Sequence, residues 1–120
     1  MQLKVYTYKG CDSCRNGVKY LQSKKVPFSE IPIREQPPTL TELKRMLSVY
    51  QGELRRLFNT SGMDYKALGM KDKLPSMTVD EVLRLLAGNG NLVKRPFALA
   101  GDVGIVGFKE PDWDAFIKGL

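Results

Sequence analysis

The chain has 120 residues, a net charge of +6 and 42% hydrophobic residues, which suits one domain around a single core. It has no histidine and only two cysteines. This composition excludes a Cys-His protease, a zinc site containing histidine and a four-cysteine zinc site within one chain, so no metal site is predicted. The positive charge attracts oxyanions, anionic thiols, nucleic acids or acidic protein surfaces, and it does not choose among them.

The N-terminal segment alternates apolar and polar residues and predicts a first strand over residues 2–8. It lacks the apolar core of a signal peptide, and no apolar run in the chain approaches the roughly 18 residues of a membrane span. We therefore expect a cytoplasmic protein with no membrane contact. In that compartment structural disulfides are rare, and a Cys-x-x-Cys pair near a strand–helix–strand unit is typical of redox chemistry.

Both cysteines lie where that strand turns into a helix predicted over residues 14–25, in the order Cys11-Asp12-Ser13-Cys14, with Cys14 in the first turn of the helix. Free N–H groups and partial positive charge at a helix start favour a thiolate, and Arg15 adds a fixed positive charge. Gly10 permits the tight turn. The stretch predicts a redox or nucleophilic thiol site, with Cys11 attacking and Cys14 resolving; the alternative is two incidental buried thiols.

Further along the chain, residues 26–33 predict a second strand, which is placed at a sheet edge by its prolines and parallel to the first. A helical segment follows over about residues 39–90. Two of its helices are predicted to begin at capping threonines. The first cap is Thr39 or Thr41, with Glu42 at the capping-box position after Thr39, and the second is Thr78, with Glu81 at that position. Residues 97–107 predict a hairpin that turns at Gly101 and Asp102, and residues 111–117 predict a last helix.

This order of elements predicts an α/β protein with a thioredoxin-like fold and a helical insertion (β-α-β, helices, β-β-α). The whole chain, residues 1–120, is predicted to form one domain. Its core is formed by residues of about 1–34 and 91–120, and the insert by about 39–90.

Several motifs together resemble the arsenate reductase (ArsC)/Spx/YffB family of thioredoxin-like proteins over nearly the whole chain. The motifs are the early Cys11-x-x-Cys14-Arg15, Asn59-Thr60-Ser61-Gly62 with Tyr65-Lys66, Lys94-Arg95-Pro96, Val106-Gly107-Phe108-Lys109, and Trp113. The resemblance implies an arsenate reductase-like oxidoreductase in which Cys11 attacks an oxyanion, and glutathione, coupled to glutaredoxin, resolves the adduct. It implies no bound cofactor, with glutathione as co-substrate.

The resemblance also implies roles for particular residues. Arg95 corresponds to a family arginine that binds and polarises the oxyanion, and the peptide bond before Pro96 is expected to be cis. The anion- or substrate-binding candidates are Arg15, Asn59, Thr60 and Pro96. Two further family arginines are missing, because Asn59 stands at one position and Gly107-Phe108 at the other. Weak arsenate reduction is therefore expected.

The presence of Cys14 supports an alternative function implied by the same resemblance. A second cysteine at this position is present in Spx and absent from typical glutaredoxin-coupled arsenate reductases. Spx is a redox-sensing regulator that binds the RNA polymerase α subunit, and Gly52 matches a glycine that Spx uses there; plain capping of a helix end is the alternative role for Gly52. Direct nucleic-acid binding is not expected, because the basic residues are scattered without an aromatic-basic motif.

Overall fold

The computed structural model describes residues 2–120; Met1, where the predicted core begins, lies outside them. Among these residues, no helix is both long and apolar enough to cross a membrane. The strands are β1 (Lys4–Thr7), β2 (Ser29–Pro32), β3 (Phe97–Ala100) and β4 (Val103–Val106). The helices are α1 (Asp12–Ser23), α2 (Leu40–Val49), α3 (Met63–Ala67), α4 (Met70–Lys73), α5 (Val79–Gly88) and α6 (Glu110–Lys118), with 3-10 turns at Leu54–Leu57, Leu74–Ser76 and Gly90–Leu92.

The four strands form one mixed sheet in the order β2-β1-β3-β4. Strand β1 pairs in parallel with β2, β3 is antiparallel to β1, and β4 is antiparallel to β3. Strand β2 lies at an edge, as its prolines predicted, because proline cannot donate a hydrogen bond to a second neighbour. The predicted α/β thioredoxin-like fold with a helical insertion is confirmed.

Alternation along the central strands divides the core between the two sheet faces. Tyr6, Phe97 and Leu99 pack with the helices between β2 and β3. Val5 and Ala98 lie on the other face with α1 and α6, where Trp113 is fully buried. The sheet is therefore covered on both faces, and the β1–α1 turn emerges at its end.

The two longer helices of the insert, α2 and α5, begin at threonines that were predicted as caps from the sequence. Thr39 caps α2 and Thr78 caps α5, each with the reciprocal glutamate bond. Glu42 of the first box is buried and also accepts hydrogen bonds from the Tyr6 hydroxyl at 2.6 Å and the Lys4 ammonium at 3.3 Å. This network fixes α2 against β1, because a buried carboxylate must keep its partners.

The predicted boundaries differ from the structure at several elements. Strand β1 covers Lys4–Thr7 of the predicted residues 2–8, and α6 covers Glu110–Lys118 rather than residues 111–117. Helix α1 begins at Asp12 rather than at residue 14, because Cys11 itself serves as the N-cap, a role that the sequence pattern does not assign to cysteine. Strand β2 covers only Ser29–Pro32 of the predicted residues 26–33. The short helix α4 was not predicted; it follows Gly69, which takes the left-handed conformation at φ 64°.

Candidate active site

The two cysteines lie at the N-terminus of α1 in different environments. Cys11 is partly exposed, and its Sγ accepts the backbone N–H of Cys14 at 3.4 Å. Cys14 is only 2% exposed, and its Sγ accepts the backbone N–H of Tyr8 at 3.4 Å. Both are free thiols. The sulfurs are therefore turned toward the same turn of the chain, with one open to solvent and the other shielded.

These environments move the two pKa values in opposite directions. Burial alone raises the pKa of Cys11, but hydrogen bonds from the backbone N–H and thiol of Cys14, together with the Arg95 guanidinium, outweigh it and hold the pKa below its ordinary value. Burial raises the pKa of Cys14 to about 12; the neighbouring Cys11 sulfur adds to the rise, while the Tyr8 N–H and Arg95 oppose it. The Cys11 thiol is therefore the more acidic of the two, and Cys14 is the one held in its protonated form.

Arg95 is positioned by a cis peptide bond to Pro96, in agreement with the expectation from the family. Its guanidinium carbon lies 4.8 Å from the centroid of the Tyr8 ring, and that of Arg34 lies 4.9 Å from the same centroid. Stacking on an aromatic face orients a guanidinium while leaving its N–H groups free to bind. Pro96 is buried, and its carbonyl oxygen accepts the N–H of Gly107 at 2.9 Å.

Arg15, a predicted anion ligand, lies on the outer side of α1. Its guanidinium donates to the carbonyl oxygen of Lys9 at 3.0 Å and forms an ion pair with Asp12. The fixed positive charge near Cys11 is therefore supplied by Arg95, and the charge of Arg15 is shared with a carboxylate.

Asn59 and Thr60, two further predicted anion ligands, lie in the loop that follows the 3-10 turn Leu54–Leu57 of the insert. The Asn59 side chain accepts the Ser61 hydroxyl at 3.4 Å, and its backbone carbonyl accepts the N–H of Gly62 at 3.1 Å, which is local turn bonding. Thr60 lines a cleft of about 370 Å³ together with Arg56.

A larger cleft of about 490 Å³ adjoins the thiol motif at Ser13. It shares Arg56 and Lys94 with the cleft at Thr60, so the two lie side by side. Lys109 also lines it. The sequence pattern does not indicate these residues as ligands; the adjacency of Lys94 to Arg95 is the sequence signal that points to Lys94.

The insert reaches this cleft through a small piece of antiparallel pairing. Phe58 forms an isolated bridge with Val93, the N–H of Asn59 donates to the Leu92 carbonyl at 2.8 Å, and the N–H of Lys94 donates to the Leu57 carbonyl at 2.8 Å. The segment that carries Arg56 is therefore fixed beside the segment that leads to the cis proline.

Comparison with known proteins identifies a family and several similar chains. The model of the ArsC family matches residues 6–116. The chain is 43% identical over 114 residues to the uncharacterized protein YusI of Bacillus subtilis (95% of this chain, 97% of YusI). It is 30% identical over 115 residues to the global transcriptional regulator Spx 1 of Lactococcus lactis (96% and 88%).

Two solved structures are also similar. An ArsC family related protein from Bacteroides fragilis has a TM-score of 0.89 and 35% identity, covering 97% of this chain and 98% of that one. A protein from Streptococcus mutans described as a possible arsenate reductase has a TM-score of 0.86 and 34% identity, covering 94% and 98%.

Proposed function

Since the chain belongs to the ArsC family, we propose that it is a thiol-dependent oxidoreductase in which Cys11 attacks the substrate and Cys14 resolves the intermediate. The observation that carries this proposal is the difference between the two thiols. A partly exposed sulfur with a lowered pKa stands one helical turn from a buried sulfur whose pKa is about 12. An attacking thiol must be ionised and accessible, whereas a resolving thiol must wait protonated until the first bond has formed.

In the first step the Cys11 thiolate attacks one sulfur of a disulfide RS–SR. The new bond joins Cys11 to SR, the old S–S bond breaks, and RS⁻ leaves and takes a proton from water. Arg95, which lies close enough to lower the pKa of Cys11, stabilises negative charge as it spreads over the reacting sulfurs.

In the second step Cys14 releases the other half of the substrate. Once Cys11 is a neutral mixed disulfide, its contribution to raising the pKa of Cys14 disappears, while the Tyr8 N–H and Arg95 still favour the thiolate. Cys14 then attacks Cys11, expels the second RS⁻ and leaves a Cys11–Cys14 disulfide. Two electrons have passed from the protein to the substrate, and two thiols such as glutathione, or the dithiol of glutaredoxin, return the protein to its reduced form.

Arsenate is a second oxidised substrate of the same chemistry. Cys11 displaces an oxygen of arsenate as water, and a thiol then attacks the Cys11 sulfur, reducing As(V) to As(III) as the S–S bond forms. Charge-assisted bonds to an oxyanion are about twice as strong as neutral ones. Because Asn59 and the Gly107-Phe108 pair stand where the family has arginines, we expect arsenate to turn over more slowly than a disulfide.

The test is a coupled assay with glutathione, glutaredoxin, glutathione reductase and NADPH, in which either arsenate or bis(2-hydroxyethyl) disulfide is the oxidant. The purified protein should accelerate NADPH consumption, and Cys11→Ser should abolish the acceleration. Lys71→Gln, an exposed change on α4 away from the thiols, is the surface control and should keep full activity. Turnover that survives Cys11→Ser excludes Cys11 as the attacking thiol.

A redox-sensing regulator without turnover is the second candidate, and the 30% identity to Spx 1 across 96% of this chain favours it. Closing the Cys11–Cys14 disulfide would alter the surface at the start of α1 and so the affinity for a partner such as the RNA polymerase α subunit. Gly52 adds little support, because its φ of 85° requires glycine for backbone reasons alone. Pull-down of the α subunit by reduced and by oxidised protein tests this candidate, and absence of binding in both states rejects it.

A further inference from the structure

We propose that Tyr8 is a positioning residue for the thiol chemistry, and that the face of its ring holds the Arg95 guanidinium beside the Cys11 sulfur. The proposal rests on the proposed function, in which Cys11 is the attacking thiol, and it assigns Tyr8 an effect on that thiol only through Arg95. The aromatic face performs this task, so the Tyr8 hydroxyl is dispensable.

The backbone of Tyr8 is bonded to both cysteines. Its carbonyl oxygen accepts the N–H of Cys11 at 3.0 Å, and its own N–H donates to the Sγ of Cys14 at 3.4 Å. These two bonds lie in the turn between β1 and α1, and they fix the position of Tyr8 relative to the two thiols. A group that packs on the Tyr8 ring is therefore also held at a fixed place relative to the sulfurs.

Arg95 comes from a distant part of the chain and contacts that ring. Its guanidinium carbon lies 4.8 Å from the ring centroid, a distance at which the negative face of an aromatic ring attracts a cation. Among residues 2–120, no carboxylate lies within 4 Å of the Arg95 guanidinium, so no ion pair orients it. The Tyr8 ring therefore limits where this long side chain points, and Arg95 is close enough to Cys11 to lower the pKa of its thiol.

The ring of Tyr8 is itself held by its other neighbours. A Cβ placed on Gly10 would lie 2.6 Å from the ring carbon Cε2, so the ring packs directly against the glycine backbone. The guanidinium carbon of Arg34 lies 4.9 Å from the ring centroid, and the partly buried ring also packs against the core cluster that contains Phe97. A guanidinium that rests on a ring so confined is oriented before the reaction begins, and a preoriented charge needs no reorganisation when negative charge develops.

The remaining charged groups near Cys11 do not take the place of Arg95. In α1, Asp12 and Arg15 form an ion pair with each other. Lys9, which precedes the motif, is exposed to solvent. The Cys14 backbone N–H and thiol also lower the pKa of Cys11, but neither depends on the Tyr8 ring. Replacing the ring therefore changes the ionisation of Cys11 through Arg95 alone.

The experiment measures how fast iodoacetamide alkylates Cys11 in the full-length reduced protein across a pH profile. On the acid side of the profile the rate is proportional to the fraction of thiolate. Tyr8→Leu keeps an apolar side chain but removes the aromatic face. It should lower the acid-side rate about two- to threefold, which corresponds to the loss of one partly exposed cation–π contact. Tyr8→Phe keeps the face and should stay within about 1.3-fold of the wild type.

Double-mutant cycles test whether Tyr8 acts through Arg95. In Arg95→Gln protein the ring has no guanidinium to orient, so adding Tyr8→Leu should change the rate by less than about 1.3-fold. Gly10→Ala displaces the ring while leaving Tyr8 in the chain, and should lower the acid-side rate up to about twofold. That effect should vanish in Tyr8→Leu protein, because leucine lacks the ring atoms that face Gly10.

Tyr50→Leu is the matched control. The Tyr50 ring centroid lies 4.6 Å from the guanidinium carbon of Arg56, so this change also removes a ring that contacts an arginine, but not the arginine beside Cys11. It should leave the acid-side rate within about 1.3-fold of the wild type. A reduction as large as that of Tyr8→Leu overturns the proposal, since the loss then follows from disturbed packing in general.

Three further outcomes overturn the positioning role and leave the thiol chemistry intact. They are an unchanged acid-side rate in Tyr8→Leu, a reduction in Tyr8→Phe as large as that in Tyr8→Leu, and an equal effect of Tyr8→Leu with and without Arg95. A different result separates this proposal from the proposed function. If Cys11 of the folded wild type is alkylated no faster on the acid side than it is in urea, both are overturned.

Discussion

Replacing Arg95 by glutamine tests which charge activates Cys11. The Arg95 guanidinium lies near enough to Cys11 to lower the pKa of its thiol, and a close contact between such charged groups is worth about 1.5–3 kcal/mol when it is buried. Cys11 is partly exposed, so solvent screening reduces the contribution to about 1 kcal/mol. Below the pKa, the thiolate fraction is proportional to the ionisation constant, so Arg95→Gln should reduce the thiolate at pH 6 about fivefold.

The assay is alkylation of Cys11 by iodoacetamide between pH 4 and pH 10, followed by mass spectrometry of the peptide that contains it. The wild-type profile should have its midpoint below the ordinary thiol range, and Arg95→Gln should move the midpoint upward. The plateau at high pH should rise slightly, because a thiolate of higher pKa is intrinsically more nucleophilic. The plateau and the midpoint together therefore separate ionisation from reactivity.

Arg15→Gln is the matched control, since the Arg15 guanidinium bonds to Asp12 and to the Lys9 carbonyl. It should change the rate at pH 6 less than twofold, allowing about 0.3 kcal/mol for a remote exposed charge. An equal effect of Arg15→Gln and Arg95→Gln, or no effect of Arg95→Gln at pH 6, would refute the assignment of the activating charge to Arg95.

Three further predictions concern resolution, the buried carboxylate and the backbone. Cys14→Ser should trap the mixed disulfide, visible as an added mass on the intact protein, and should slow multiple turnover at least about tenfold; undiminished turnover would mean that an external thiol resolves the intermediate. Tyr6→Phe should lower the free energy of urea unfolding at pH 7 by about 1.5–2 kcal/mol, because Glu42 loses a hydrogen bond of 2.6 Å. Burial alone raises the pKa of Glu42, but its hydrogen bonds and the nearby ammonium lower it overall. This contribution to stability is therefore present at neutral pH and is lost as the pH falls through the lowered pKa of the folded protein, so the difference between Tyr6→Phe and wild type should shrink in acid, below the ordinary range of a glutamate. Gly90→Ala should destabilise the protein by more than about 3 kcal/mol, since a Cβ there overlaps a backbone carbonyl oxygen, whereas Gly88→Ala in α5, with open space around it, should be neutral or stabilise by up to about 0.5 kcal/mol in the same urea measurements.

The sequence was sufficient for those parts of the fold that depend on neighbours three or four residues apart. The capping boxes at Thr39 and Thr78 placed the starts of α2 and α5, because the bonds involved join residue i to residue i+3. The prolines of β2 placed it at an edge through a missing donor, a property of the residue itself. The Cys-x-x-Cys spacing after β1 likewise placed both thiols at the start of α1.

Only the tertiary structure decided how the charges and thiols of the site are used. The spacing of the sequence placed Arg15 beside Cys11, and only the family resemblance indicated Arg95. In the structure Arg95 lies near enough to Cys11 to lower its pKa, while Arg15 pairs with Asp12. Cys14 became the protonated partner because the sheet and α1 bury it, a consequence of contacts that no local pattern records. Arg56 and Lys94 are 38 positions apart in the sequence and line one cleft because backbone pairing near Phe58 brings their segments together. Such long-range pairing depends on the whole core having formed, which is why a basic cleft was invisible in a chain whose lysines and arginines are evenly scattered.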